Sequence, residues 1–129
     1  MNPSPERWIA EFFESIDCMD ADGFAAHFCA DGGFRFANQT PLVGTAAIAG
    51  GAGAIFGMLN AIRHDLIKHW LADGDLLVEG IVHYHRASDG RRFAFPFLSV
   101  FEFEGTAPGP IRSYRVFVDS HELFLPPSA

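Results

Sequence analysis

Three runs rich in Val, Ile, Phe and Tyr, at Leu76 to Arg86, Phe93 to Phe103 and Ile111 to Val118, constrain this chain more than any other feature. Such residues suit a pleated, half-buried surface. The turn signals Ala87-Ser88-Asp89-Gly90 and Gly105 to Pro110 separate the runs, so they predict consecutive strands of one antiparallel sheet. Because strand residues alternate between faces, Gly80, Val82, Tyr84, Ser99, Phe101, Tyr114, Val116 and Val118 share one face, a mostly apolar wall with a few hydroxyls. That wall suits a hydrophobic small molecule. The opposite face carries Ile81, His83, His85, Leu98, Val100, Arg115 and Phe117, too apolar for a fully solvated sheet face. A homodimer through this outer face is expected.

The residues before the sheet predict its cover. Ser4-Pro5-Glu6 reads as a helix start, with Ser4 as N-cap, Pro5 in the first turn and an acid near the positive helix end. From there to about Cys18, Trp8, Ile9, Phe12, Phe13, Ile16 and Met19 fall on one helical face and Glu14 on the other. Asp22 is positioned to cap a short second helix carrying Phe24, His27 and Phe28, ended by Asp31-Gly32-Gly33. Phe34-Arg35-Phe36 alternates as a short strand. A loop from Asn38 to Gly44 follows, and Thr45 is placed to cap a third helix from Ala46 to about Ile62. Gly50, Gly51, Gly53 and Gly57 make that helix pliable, each costing up to about 1 kcal/mol relative to Ala. Gly51-Ala52-Gly53 is not a dinucleotide fingerprint, since its third glycine position holds Phe56 and no strand immediately precedes it. Arg63 to Leu71 reads as a further strand, turning at Asp73-Gly74-Asp75 into the core sheet.

A chain of 129 residues fits one domain over residues 1–129, with an ordered core from about residue 4 to about residue 125. Its fourteen Phe residues imply a deep core, a greasy cavity or an apolar subunit contact. The net charge of −7 opposes attraction to nucleic acid and to anionic membranes. Cys18 and Cys29 lack the clustering of a thiolate zinc site and read as two buried thiols on consecutive helices. The first residues lack the pattern of a signal peptide, and no apolar run reaches membrane-spanning length, so a cytoplasmic location is expected.

Several segments, taken in order, resemble one known family: Trp8 with Phe12-Phe13, Phe34 to Asn38, Pro41 to Gly44 before a helix, His64, Asp73-Gly74-Asp75, Val78-Glu79-Gly80, Phe95-Pro96-Phe97 and Tyr114 to Asp119. Their order resembles the nuclear transport factor 2-like superfamily and, within it, the SnoaL-like polyketide cyclase and ketosteroid isomerase-like branch. The resemblance implies a cone-shaped α+β fold, in which a curved, mostly antiparallel mixed sheet is covered by three N-terminal helices. The fold hosts isomerases, cyclases, dehydratases, epoxide hydrolases and non-enzymatic binding domains. Where ketosteroid isomerases carry a carboxylate base and an oxyanion hole of Tyr and protonated Asp, this chain has Ala37 or Asn38, Phe13 and Ser99. Where limonene epoxide hydrolases carry Asp, Arg and Asp, it has Val82, Gly80 and Val116. Val116 also takes the place of the acid/base Asp of SnoaL-type cyclases, with Asp119 three residues on. Scytalone dehydratase-like members use histidines and a carboxylate on the first helix. His64 matches a histidine position, and Glu14 is the nearest carboxylate, though helical phase turns it outward.

His64 groups with Leu66 on the face assigned to the cavity, and a neutral imidazole there suits acid–base work near pH 7. The reading is a pocket lined by Phe13, Asn38, Val82, Tyr84, Ser99, Phe101, Tyr114 and Val116. In it His64 moves a proton while Tyr84, Ser99, Asn38 or Tyr114 holds the developing oxyanion. Isomerase, cyclase or dehydratase chemistry without metal, nucleotide or other cofactor follows. His83 and His85 have the spacing of a metal pair, yet alternation sends them to the outer face. The opposing reading is a non-catalytic ligand-binding or subunit-interaction domain, because the better-known acid/base sets are missing.

Overall fold

A computed structural model describes residues 4–127. The first helix, α1 (Pro5–Asp17), starts where the sequence places it: the Ser4 side chain accepts a hydrogen bond from the Arg7 N–H at 3.2 Å, with Pro5 in the first turn. Its apolar stripe is buried through Trp8, Ile9, Phe12, Phe13 and Ile16. A short α2 (Ala21–Ala25) follows, then β1 (Phe28–Phe36), β2 (Leu42–Val43), α3 (Thr45–Phe56), β3 (Leu59–Ala72), β4 (Asp75–Arg86), β5 (Arg92–Phe103) and β6 (Ile111–Val118). A 3-10 turn over His121–Phe124 closes the series.

The strands form one six-stranded sheet in the order β2-β1-β6-β5-β4-β3. Only β1 and β6 run parallel; every other neighbouring pair is antiparallel. This is the mixed, helix-covered α+β sheet of the nuclear transport factor 2-like fold. The core lies between its inner face and the helices. Phe12 there stacks on Trp8 and meets Phe101 and Tyr114 edge to face.

Several boundaries differ from the sequence reading, some through local capping and others through strand pairing. Asp20, not Asp22, caps α2, accepting from the Gly23 N–H at 2.9 Å. Phe28, Asp31, Gly32 and Gly33 belong to β1 rather than to a helix and its end. Phe28 pairs with Ile111, and a Cβ on Gly32 would lie 2.7 Å from the Ile111 carbonyl oxygen, so glycine permits that approach. Gly44, at φ +92°, takes the N-cap of α3 in place of Thr45 and offers it no side-chain hydrogen bond. The helix stops at Phe56 instead of running to Ile62, because Leu59 to Ile62 pairs with Tyr84 to Arg86 and lengthens β3. Cys18 is exposed and Cys29 partly so; they occupy the end of α1 and strand β1, not buried sites on consecutive helices.

Arg86 ties the segment around the 3-10 turn to the sheet. The Arg86 guanidinium is 3% exposed, pairs with Asp89 and donates to the carbonyls of Leu123 and Leu125, both at 2.9 Å. The Arg86 hydrogen bond holds the Asp89 carboxyl at about 2, well below the usual carboxylate range. Among the described residues no helix is long and apolar enough to cross a membrane.

Candidate active site

Beneath α3 the inner sheet face encloses a cavity of about 50 Å³. Its walls are Ile16 of α1, Phe24 of α2, Ala52, Ile55 and Phe56 of α3, and inward residues of the sheet. Strand alternation delivers His64, Val82, Tyr84, Tyr114 and Val116 to it.

His64 is the one imidazole in the cavity wall, and its side chain is 8% exposed. Asp17, in the last turn of α1, reaches across to it. One carboxylate oxygen, Oδ1, lies 2.6 Å from Nδ1 of His64, and Oδ2 accepts the His64 backbone N–H at 3.2 Å. A carboxylate can only accept, so Nδ1 is the donor of this pair, and in the neutral ring the lone pair lies on Nε2. Nε2 has no partner among the described residues. Phe13 packs against the same ring at 4.9 Å between centroids and Phe97 meets it edge-on at 5.3 Å. These contacts fix the orientation of the base.

Gly80 keeps that arrangement possible. A Cβ there would lie 2.5 Å from the Asp65 backbone oxygen and 2.8 Å from the Phe97 ring, which leans on His64. No larger residue fits without moving that ring.

Two tyrosines face the cavity with different commitments. Tyr114 shares a hydrogen bond with Ser99 at 3.2 Å, so its hydroxyl is engaged. Tyr84 is 4% exposed, and its hydroxyl makes no hydrogen bond among the described residues. Burial pushes both phenols above their usual range, so both stay protonated. In the β3–β4 pairing His64 stands opposite Val82, which puts Tyr84 one step along the same face, at the diagonal position. A base and an unengaged donor thus border one apolar space.

Four residues expected in the pocket do not line the cavity. Phe13 lies behind the His64 ring as its support. Phe101 is fully buried, stacked on Tyr114 at 4.5 Å. Ser99 is hidden behind the Tyr114 hydroxyl it binds. Asn38 lies in the loop after β1, beside Arg35, Asp119 and Ser120 in a separate surface depression. Asp119 itself accepts from the His121 N–H at 3.3 Å and shapes the 3-10 turn.

Asp17 is the residue that sequence reasoning missed, favouring Glu14 as the nearest carboxylate. A usable signal existed, because Asp17 lies four residues after Phe13 and therefore on its buried face. An acid in the last turn also opposes the helix dipole, a local violation of the kind that marks a site. On the outer face Nε2 of His83 lies 2.8 Å from Asp65, and no cluster of three His, Cys, Asp or Glu suited to a metal occurs among the described residues.

The family model for the SnoaL-like domain matches residues 9–107. The chain belongs to the SnoaL-like domain family. No curated protein matches it in sequence. Solved structures share the fold at low identity. A hypothetical protein of ketosteroid isomerase-like fold from Catenulispora acidiphila, in complex with trimethylamine, is 18% identical with a TM-score of 0.79, covering 89% of this chain and 86% of that one. A protein from Jannaschia described as a SnoaL-like polyketide cyclase is 13% identical with a TM-score of 0.79, over 98% and 99%. An LEH-like epoxide hydrolase of M. tuberculosis is 18% identical with a TM-score of 0.72, over 92% and 84%. In this SnoaL-like chain the polar side chains lining the cavity are His64, Tyr84 and Tyr114, with Asp17 bonded to His64 from α1.

Proposed function

We propose that this SnoaL-like domain binds a hydrophobic carbonyl compound and moves a proton on it, as a cofactor-independent isomerase, cyclase or dehydratase. The observation that carries this reading is the 2.6 Å Asp17–His64 hydrogen bond at the wall of an apolar cavity. It holds Nε2 as the free base. Nε2 takes a proton from the carbon next to the carbonyl, and the C–H electron pair moves onto the carbonyl oxygen as an enolate. Tyr84, kept protonated by burial, donates a hydrogen bond to that oxygen. Return of the proton from Nε2 to another carbon completes an isomerisation. Delivery of the same proton to a departing β-hydroxyl releases water. Attack of the enolate carbon on a second carbonyl, whose oxygen takes the proton, closes a ring.

The test is deuterium exchange, followed by NMR, at the α-carbons of small enolisable ketones in D₂O. Wild type is expected to exchange them above the buffer rate. Tyr84→Phe, which keeps the ring and loses the donor, should exchange roughly 10²-fold more slowly, with ketone binding retained. Ketone binding by wild type without any exchange would sink the catalytic reading and leave a binding-only domain.

The outer face supports a second copy of the chain as partner. Trp70, Leu77, Pro96, Leu98 and Phe117 border one open apolar depression, and Phe117 is half exposed. Monomers rarely leave such contiguous patches uncovered. Sedimentation velocity is expected to give a dimer for wild type and a monomer for Phe117→Glu; a monomeric wild type at micromolar concentration would refute it.

A further inference from the structure

The cavity at His64 holds only about 50 Å³, whereas clefts that take apolar ligands commonly run from about 300 to 1,000 Å³. A second space lies alongside. It is a groove of about 270 Å³ between α3 and the β1–β2 side of the sheet, with Leu42, Met58 and Phe124 in its walls and Gln39 and Thr40 at its edge. Phe34, Phe36 and Ile55 line both spaces and form a wall that the two share.

We propose that the ligand continues from the His64 cavity past Ile55 into this groove, so that the site takes an elongated molecule with a carbonyl head and an apolar tail. This rests on the reading of the His64 cavity as the reacting site. Ile55 then sets the length of tail that is accepted.

The wall carrying Ile55 is the one best able to give way. Only Ile48 and Ala52 of α3 are buried, three glycines interrupt it, and its N-cap makes no side-chain bond. An isoleucine on a helix is stiff at χ1, so passage comes from a small shift of α3 rather than from a rotamer change. The shift is guided at Gly51, where a Cβ would lie 2.2 Å from Cδ1 of Leu42, and the helix rides on that side chain. Phe124, which meets Phe36 edge-on at 6.1 Å, closes the far side of the groove. The other depression touching the site borders Ile62 and Tyr84 and is lined by the acids Glu14 and Asp17 as well as by Arg63, His83, His85 and Arg92. A tail routed there would have to be polar.

The experiment is calorimetric titration of straight-chain 2-alkanones of increasing length, and of their ω-carboxylates, into wild type, Ile55→Ala and Ile55→Trp. Matching melting curves confirm that each variant is folded. Wild-type affinity for the alkanones should rise about threefold to fourfold per methylene until the groove is full. Ile55→Trp should lose the gain per methylene, read as the slope of affinity against chain length within that variant because Ile55 also walls the His64 cavity, and Ile55→Ala should strengthen binding of the longest. A gain per methylene that persists in Ile55→Trp, or a preference for the carboxylates, overturns the tail path while the His64 site stands. Binding of no ketone at any length overturns both.

Discussion

Asp17→Asn is expected to slow proton exchange at His64 by a factor on the order of 10³ to 10⁴, the scale reached when a histidine base is held in the wrong tautomer. Both carboxylate oxygens of Asp17 accept, one from Nδ1–H of His64 and the other from its backbone N–H. An amide has a single acceptor. If the Asn oxygen keeps the backbone N–H, its NH₂ group faces Nδ1, which must then give up its proton. Nε2 becomes the protonated nitrogen, and the free base is lost. If the oxygen instead keeps Nδ1–H, the NH₂ group and the His64 backbone N–H confront each other as two donors, and the backbone bond is lost. The cost to the fold is about 1 to 3 kcal/mol, that of one unmet hydrogen bond. The variant should therefore remain folded. Imidazole ¹⁵N chemical shifts report the tautomer directly, with Nε2 unprotonated in wild type and protonated in the variant. A moved proton with an unchanged exchange rate would remove tautomer control from the mechanism.

Phe12→Ala should cost about 3 to 5 kcal/mol of stability, a large share of the roughly 5 to 15 kcal/mol that holds a domain of this kind. Phe12 is completely buried, its ring 5.2 Å from Trp8, 5.0 Å from Phe101 and 5.2 Å from Tyr114. Truncation removes the transfer energy of the ring and leaves a void that the surrounding aromatics are too large to collapse into. Urea unfolding measures it: the midpoint should fall sharply with little change in slope. A loss below about 1 kcal/mol would mean that α1 repacks on the sheet and is not held by this cluster. Because Phe12 reaches His64 only through Phe13, and the tautomer is set by the Asp17 bond, variants that remain folded should keep the tautomer that Asp17 imposes.

Much of this architecture was legible in the residues. The apolar stripe of α1, the limits of β4 to β6 and the inward set from Gly80 to Val116 follow from periods of 3.6 and 2 that local chemistry enforces. The ends of α3 and β1 were not legible. Residues 57 to 62 carry apolar and small side chains compatible with either state, and pairing of Leu59 with Arg86 decides for strand. Phe28 likewise joins β1 because Ile111 lies beside it. Helical phase carried one residue past Ile16 exposes Asp17, whereas the nearer and more obvious acid, Glu14, points away from the sheet.

By itself the sequence determined the apolar inner wall and the presence of one imidazole on it, since these depend on spacing within single elements, while the order of its segments carried the family resemblance that implied the fold. The partner of that imidazole was decided by tertiary structure, because Asp17 and His64 are separated by 47 positions and meet only where the end of α1 crosses the edge of β3. The same holds for which hydroxyl is free. Tyr84 and Tyr114 look alike along the chain, and only the pairing of β5 with β6 sets Ser99 beside Tyr114 and leaves Tyr84 unengaged.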